Sequence, residues 1–369
     1  MKLKKIMLII PQNTSGGAER VMCQLANNFA DEGIDVVFVN FDSESSFYPI
    51  SSKVKWVKMG LEFKSGNKWK KLLSAPFMEQ KRYRFIKNLL MTEKPDVVLP
   101  FCEMAEVLTI PNCISAKIPF CVSVRNDYNE YGWYMKRLSR RTYPKSKLLV
   151  CQTKFVEADV RKAVNCKSTV IFNPLDKSSY VDTDGSQKRR KVIINVGRLT
   201  AQKNQKLLIE SFHQIADEFP DYELHIFGKG ELRQELEEQI QNLQLSDRVK
   251  LKGVIPNALA ENHDAALFVM SSDFEGFPNT LVEAMANGIP VISTDFDTKA
   301  ASELLKDGEY GYLVPTGNTD IMAETMRYVL KHYDKAEEKA QKALYVRDYL
   351  DAKTISRQWI SEIEAALSS

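Results

Sequence analysis

A parallel α/β architecture in two domains is predicted by three features of the sequence. Short apolar runs alternate with amphipathic segments of helical period along the whole chain, which is the pattern of repeated βαβ units. At 369 residues the chain is too long for one ordinary core and suits two domains of about 150–200 residues each. The charge is divided unevenly: through residue 172 there are 28 Lys and Arg against 16 Asp and Glu, and in the remainder 23 against 32. A basic half thus precedes an acidic one, and such asymmetry points the first half toward a polyanion or an anionic membrane. The polar segment Asn173–Arg190, rich in turn formers, is the expected boundary.

Bulk properties exclude several classes. A hydrophobic content of 44% and a charged content of 27% are those of a soluble globular protein. No apolar run approaches the roughly 20 residues of a membrane helix. Met1–Lys5 followed by Ile6–Ile10 imitates a leader, but five apolar residues before Pro11 read better as a first buried strand. The six cysteines form no Cys-x2-Cys pair and have no nearby histidine, which argues against zinc and for reduced thiols in a cytoplasmic protein.

In the first half, strand Ile6–Ile10 feeds a loop ending in Gly16-Gly17 and then a helix from Ala18 to Glu32, with Val21, Leu25, Asn28 and Phe29 on one face. The two glycines allow a tight turn and bring backbone N–H groups toward a ligand; a plain strand-to-helix turn would need no more than this. The spacing is not Gly-x-Gly-x-x-Gly, so it is not the dinucleotide fingerprint. Strands follow at Asp35–Asn40, near Val54–Val57, at Asp96–Phe101 and at Phe120–Val124. Between them, Lys64–Leu90 carries Trp69, Leu72, Leu73 and Phe77 at helical spacing beside Lys68, Lys70 and Lys71, and Pro76 is expected to break it in two. The second piece sets Lys81, Arg82, Arg84 and Lys87 opposite Phe85, Ile86, Leu89 and Leu90. Further basics, Lys136 to Lys147, interleave with Trp133, Tyr134 and Tyr143. These are either surface helices packed by their apolar faces or a surface that meets anionic lipid or an acceptor's diphosphate. Nucleic acid fits less well, because no recognised binding motif accompanies the charge.

The second half repeats the pattern. Strand Lys191–Val196 ends in Gly197-Arg198 and a helix opens near Asn204, so Arg198 and Lys203 sit at a strand's carboxyl end near a helix N-terminus. Two cations and free N–H groups can neutralise a diphosphate, Arg as a fork and Lys as a point charge. Strand Asp221–Phe227 ends at Gly228-Lys229-Gly230, which would let the backbone approach a nucleotide, and Val249–Ile255 forms a short strand and loop. The run Ala265–Met270, a turn with Glu275, a helix from Thr280 to Asn287 and the run Val291-Ile292 make another βαβ unit, with Gly288 and Pro290 ending the helix. Glu275 on the turn and Glu283 two turns into the helix would flank a bound phosphate and accept hydrogen bonds from hydroxyls, which suggests a phosphorylated sugar. Two solvent-facing glutamates on a surface turn are the plain alternative, and the company of Arg198 and Lys203 weighs against it. The four histidines all fall in this half, on helices or strands, and read as structural or exposed. The final helix, Ala352–Leu367, places Ile355, Trp359 and Ile363 on one face.

Gly197-Arg198-Leu199 with Lys203, then Gly228-Lys229-Gly230, then Glu275-Gly-Phe-Pro-x4-Glu283-Ala-Met-Ala-x-Gly-x-Pro-Val-Ile closely resemble the C-terminal half of the retaining glycosyltransferases of family four. Ser15-Gly16-Gly17-Ala18-Glu19-Arg20 resembles that family's glycine-rich loop, so the likeness spans essentially the whole chain. It implies a GT-B fold: two Rossmann-like domains facing each other across a cleft, residues 1–172 binding the acceptor and 173–351 the nucleotide sugar, with helix 352–369 crossing back to the first domain. Arg198, Lys203 and Glu275 would be catalytic; Gly16, Gly17, Gly197, Gly228, Phe277, Asn279, Thr280, Leu281 and Glu283 would bind the donor. The loop Ser123–Tyr128 carries a histidine in many members and Ser-x-Arg-Asn-Asp in a subset, as here; Arg125, Asn126 and Asp127 are then acceptor or crevice residues, with Arg125 or Asp127 orienting the acceptor or the donor phosphate. The family commonly has Gly-Pro where this chain has Phe296-Asp297, a departure that bears on sugar specificity.

The implied activity is transfer of a hexose or N-acetylhexosamine from a uridine-diphosphate sugar to a saccharide on a polyprenyl diphosphate, with the anomeric configuration retained. It implies surface polysaccharide or glycan assembly, without metal or other cofactor. The basic first domain would meet the anionic inner face of the cytoplasmic membrane, and no nucleic acid is expected. A sugar-nucleotide epimerase of the same fold, or a non-catalytic nucleotide-sugar binding protein, are the alternatives; the first needs acid–base residues flanking the sugar, and the absence of histidine before His213 counts against it.

Overall fold

The computed structural model describes residues 1–13, 16–41, 48–61, 68–182 and 188–369, the side chains of 68–74 excepted. The chain divides into two units, Met1–Pro174 with Ala352–Ser369, and Leu175–Asp351.

The first unit runs β1 (Lys5–Ile10), α1 (Gly17–Asp31), β2 (Asp35–Asn40), β3 (Lys55–Lys58), α2 (Lys68–Glu93), β4 (Val97–Pro100), α3 (Glu103–Ala116), β5 (Cys121–Val124), α4 (Trp133–Thr142), β6 (Leu148–Cys151), α5 (Lys154–Ala163) and β7 (Ser168–Val170). Its strands pair in parallel in the orders β3-β2-β1-β4 and β5-β6-β7. A bridge between Val98 and Phe120, with the Val98 N–H donating to Pro119 O at 3.0 Å, joins the two runs. A parallel sheet must be covered on both faces, and Ile6 to Ile10 in β1 are wholly buried accordingly.

Three expectations for this unit need correction. The helix α2 is continuous through Pro76, because one proline in a long helix forfeits a single backbone donor while the rest of the helix keeps its ladder and its packing. Buried Ile86 and Leu90 anchor its second part. Arg82 is not on the exposed basic face: it is 4% exposed, donates Nε to Leu61 O at 3.0 Å and pairs with Glu79 at 2.9 Å. Tyr143 likewise belongs to the core, 1% exposed, with its hydroxyl donating to Glu106 Oε2 at 2.7 Å. Burial pushes the Glu106 carboxyl up to about 8. The side chains of Lys68, Trp69, Lys70, Lys71, Leu72 and Leu73, and all of Lys64, lie outside the described residues, as do Ser15 and residues 183–187 of the boundary segment.

The second unit runs β8 (Arg190–Val196), α6 (Gln205–Ala216), β9 (Glu223–Phe227), α7 (Arg233–Asn242), β10 (Val249–Gly253), α8 (Ala258–Glu261), β11 (Ala265–Met270), α9 (Asn279–Ala286), β12 (Val291–Thr294), α10 (Ala300–Leu305), β13 (Tyr312–Val314), α11 (Thr319–Lys331), α12 (Tyr333–Ala343) and α13 (Val346–Tyr349). Its six strands are all parallel in the order β10-β9-β8-β11-β12-β13. Counted from β8, that is the doubly wound order in which the direction of winding reverses between the first strand and the fourth, here β8 and β11.

The last helix, α14 (Ala352–Ser368), belongs to the first unit. It buries Ile355, Ser356, Trp359, Ile363 and Ala366 along one stripe. Asn28 of α1 donates to Ala352 O at 3.2 Å and to Ser356 Oγ at 2.9 Å, so that position of the α1 pattern faces a helix rather than the sheet. Among the described residues no helix is long and apolar enough to cross a membrane. All six cysteines are free thiols, and burial pushes Cys23, Cys102, Cys113 and Cys121 up to about 12.

Candidate functional site

The carboxyl ends of β8 and β11 meet at the point where the sheet's winding reverses, and the loops leaving them carry the charged residues singled out above. After β8 the chain is laced to the loop after β9: the Gly197 N–H donates to Phe227 O at 2.9 Å and the Leu199 N–H to Lys229 O at 3.0 Å. A Cβ on Gly228, whose φ is +151°, would stand 1.8 Å from Gly197 O, and one on Gly230 would stand 2.1 Å from Leu199 O. Loop-on-loop packing therefore demands glycine at both positions, a requirement of the turn itself that stands beside any close approach of the Gly228 backbone to a nucleotide.

The β8 and β11 loops are sewn together by side chains. Asn204, in the left-handed region at φ 45°, caps α6 by accepting from the Leu207 N–H at 3.3 Å and donates Nδ2 to Asp273 Oδ1 at 2.9 Å. Gln202 donates Nε2 to Phe274 O at 2.9 Å, and its own carbonyl accepts from the Asp273 N–H at 2.9 Å. Ser271 Oγ donates to Lys203 O at 2.9 Å. These bonds fix where the side chains of residues 198, 203 and 275 begin.

Lys203 Nζ donates to Glu275 Oε1, and the pair is nearly enclosed, with side-chain exposures of 16% and 8%. The same oxygen accepts from Ser272 Oγ at 2.6 Å, while Thr298 Oγ1 holds the Glu275 carbonyl at 2.9 Å. The other carboxylate oxygen, Oε2, takes no hydrogen bond from a described residue. Arg198 is exposed; its guanidinium donates to Gln202 Oε1 at 3.3 Å and pairs with no carboxylate among the described residues. Burying an ion pair rarely adds net stability, so its placement at the sheet's switch point makes the pair a candidate for function. Glu283 is also buried, 7% exposed, on α9. Because that helix begins at Asn279, Glu283 lies little more than one turn in, not two. Phe277 and Leu281 are buried, Asn279 and Thr280 half-buried. Phe296 is wholly buried, so it is a core residue of this unit, whereas Asp297 is exposed.

The first unit places its candidates differently. Gly16 caps α1 and Gly17 begins it; a Cβ on Gly16 would collide with the Glu19 carboxylate. Arg125, at the end of β5, is 8% exposed and its guanidinium lies over the Phe101 ring at 4.4 Å. It donates to Asn173 Oδ1 at 2.6 Å, which also accepts from Gln152 Nε2 at 2.8 Å, and its Nε finds no acceptor among the described residues. Burial lowers its pKa to about 10. Asp127 accepts from the Asn129 N–H at 2.8 Å and so caps the short turn Tyr128–Glu130, and Asn126 is exposed. Three histidines sit in structural contacts, His225 on Glu223 at 2.7 Å, His263 on Ala260 O at 2.8 Å and His332 on Tyr328 O at 2.9 Å, and His213 is exposed.

Sequence reasoning missed Gln202, Ser272, Asp273, Phe274 and Thr298. Asn204 had a readable signal, a capping residue before a helical run. Thr298 had none, since its bond to Glu275 joins loops after different strands. Phe274 stands 53% exposed beside the buried pair, held by its backbone.

Comparison with known proteins gives the family and the fold. Residues 15–179 match the model of Glycosyltransferase Family 4 and residues 176–345 that of Glycosyl transferases group 1. An uncharacterised glycosyltransferase of Methanocaldococcus jannaschii is 33% identical over 258 residues, 63% of each chain. A Campylobacter jejuni alpha-1,4-N-acetyl-D-galactosaminyltransferase, named for a GalNAc-GalNAc-diNAcBac-diphospho-undecaprenol, is 25% identical over 98% of both chains. The crystal structure of Anabaena HepE with UDP superposes with a TM-score of 0.78 at 18% identity, covering 98% of this chain and 100% of that one. The paired parallel sheets, the two contiguous family matches and the charged switch point lead to one conclusion: this chain belongs to the family-four glycosyltransferases of GT-B fold.

Proposed function

We propose that this glycosyltransferase moves a hexose or N-acetylhexosamine from a uridine-diphosphate sugar to a hydroxyl of a saccharide carried on a polyprenyl diphosphate, retaining the anomeric configuration. The observation that carries the reading is the enclosed Lys203–Glu275 pair, one carboxylate oxygen left open, beside the exposed Arg198 at the switch point of the second sheet. Arg198 and Lys203 stabilise the charge that builds on the leaving diphosphate, the principal electrostatic contribution in such transfers, so no metal or other cofactor is needed. Glu275 Oε2 accepts from a hydroxyl of the transferred sugar, and Glu283 holds the ribose. The acceptor oxygen attacks the anomeric carbon on the face the diphosphate leaves, and a leaving phosphate oxygen takes the proton, so no protein base is required. Phe277, Asn279, Thr280 and Leu281 shape the donor pocket, with Gly197 allowing close approach of the backbone. In the first unit, Gly16-Gly17 offer N–H groups to the donor and Arg125 orients the acceptor. A lipid-linked acceptor would hold the enzyme peripherally on the inner face of the cytoplasmic membrane, in surface polysaccharide or glycan assembly. The acceptor in the name of the Campylobacter relative and the UDP bound in the Anabaena structure support this by similarity.

The test is release of UDP from a panel of UDP-sugars, with and without polyprenyl-diphosphate saccharides, followed by the product's anomeric configuration by NMR. Release from one sugar that rises sharply with acceptor and gives the donor's own configuration is expected. Conversion of the donor to another nucleotide sugar without release would make the protein an epimerase, and an inverted product would end the same-face mechanism.

A further inference from the structure

We propose that the exposed face of α4 docks on an anionic phospholipid surface; the inference rests on the membrane-linked acceptor proposed above and assigns the contact to one element. The helix is seated by one stripe, Met135, Ser139 and Thr142, at positions i, i+4 and i+7. Its seat is pinned by polar bonds: Tyr128 Oη meets Ser139 Oγ at 2.8 Å, and Asn129 donates to Asp159 Oδ2 on α5 at 2.9 Å. On the opposite arc stand Trp133 and Tyr134, 78% and 54% exposed, with rings edge to face at 6.0 Å. Arg137, Arg140 and Arg141 share that arc, all exposed, and none pairs with a carboxylate among the described residues. The helix contains no acidic residue at all. Large amphipathic rings held in water at a helix end, flanked by unpaired guanidinium groups, complement a bilayer interface: rings enter the headgroup level while arginines meet phosphates. Free polyanions such as nucleic acid offer phosphates but no apolar layer for the rings.

The experiment is co-sedimentation of the full chain with vesicles of phosphatidylcholine alone, or with roughly a third phosphatidylglycerol. It is read beside transfer to a detergent-solubilised, short-chain acceptor and the thermal midpoint. Binding is expected only with the anionic lipid and is expected to weaken with added salt. Replacing the three arginines (Arg137→Gln, Arg140→Gln, Arg141→Gln) should weaken partition on the order of a hundredfold. Trp133→Ser with Tyr134→Ser should weaken it by about tenfold, while solubilised transfer and melting stay unchanged. The tryptophan emission should shift blue on vesicles, and the shift should be lost in Trp133→Phe. Equal partition of the native chain and the triple arginine variant, equal binding to neutral vesicles, or displacement by duplex DNA with no blue shift would each overturn the proposal. Vesicle binding without any transfer would instead leave the docking face standing and refute the transferase substrate reading.

Discussion

At the switch point of the second sheet, a lysine and a glutamate are enclosed together, and the loops that carry them are stitched by the side chains of Gln202, Asn204 and Ser271. In the first unit, the end of β5 holds a buried cation, Arg125, with an amide oxygen, a hydroxyl and a phenyl face around it and, among the described residues, no carboxylate paired to it. Both sheets wind in the same order. Topology therefore supplies the place, and the loop side chains supply the chemistry. A paired charge can exchange partners when a diphosphate arrives, whereas a cation held by dipoles is already committed to organising the strand ends around Asn173.

The largest expected effect separates these two charges. Arg198→Ala and Lys203→Ala should each lower turnover on the order of a hundredfold or more, with the fold monitored by circular dichroism; near-normal turnover in either would remove that residue from the mechanism. Lys203→Met should in addition destabilise the second unit by about 3 kcal/mol, because Glu275 is left buried without its cation. Arg125→Met should change stability by no more than about 1 kcal/mol, since among the described residues no buried carboxylate is orphaned, and should lower transfer by about tenfold. A large loss of stability there would mean that Arg125 is as tightly coupled as Lys203, and the contrast would fail.

Backbone demands differ in the same direction. Gly228→Ala forces a Cβ to within 1.8 Å of a carbonyl at φ +151° and should cost about 2–4 kcal/mol in urea unfolding. Gly132→Ala, at the start of α4 with nothing within 4 Å of the added Cβ, should be close to neutral. Equal effects would show that the laced loops of the second unit do not need their glycines.

The remaining effect concerns pH and is confined to the first unit. In the folded first unit, burial raises the Glu106 carboxyl from an ordinary 4.5 to about 8. Its neutral form is thus favoured by folding: the contribution is complete below the unfolded pKa and is lost as pH rises through the folded one. The thermal midpoint should therefore decline between about pH 5 and pH 8. Glu106→Gln, which keeps an acceptor for the Tyr143 hydroxyl, should flatten that decline, and an unchanged slope would place the pH dependence elsewhere.

Local pattern made the strands and most helices legible. The apolar runs at Ile6–Ile10, Asp35–Asn40 and Ala265–Met270 are strands because both faces of a parallel sheet are buried. The final helix follows from Ile355, Trp359 and Ile363 at helical spacing. The charged motif was legible too, because Arg198, Lys203, Glu275 and Glu283 each sit at a strand end or just inside a helix. What periodicity could not reveal was which polar residues are enclosed. Arg82 and Tyr143 lie among basic surface residues in the sequence but are buried through bonds to Leu61 and Glu106. Proline's effect in α2 escaped for a related reason: a breaker rule counts one lost bond and omits the packing that keeps the helix whole.

The alternation of strands and helices, the division into a basic and an acidic half, and the residue types gathered at the second sheet's strand ends all follow from the order of residues along the chain. Folding added what that order leaves open: Lys203 is matched to Glu275, Ser272 and Thr298 hold the glutamate in place, and Gly228 and Gly230 answer to a neighbouring loop. The physical reason is range. Periodicity and capping act over one or two turns of chain, while hydrogen bonds and steric contacts between loops join residues that the winding of the sheet brings together across dozens of positions.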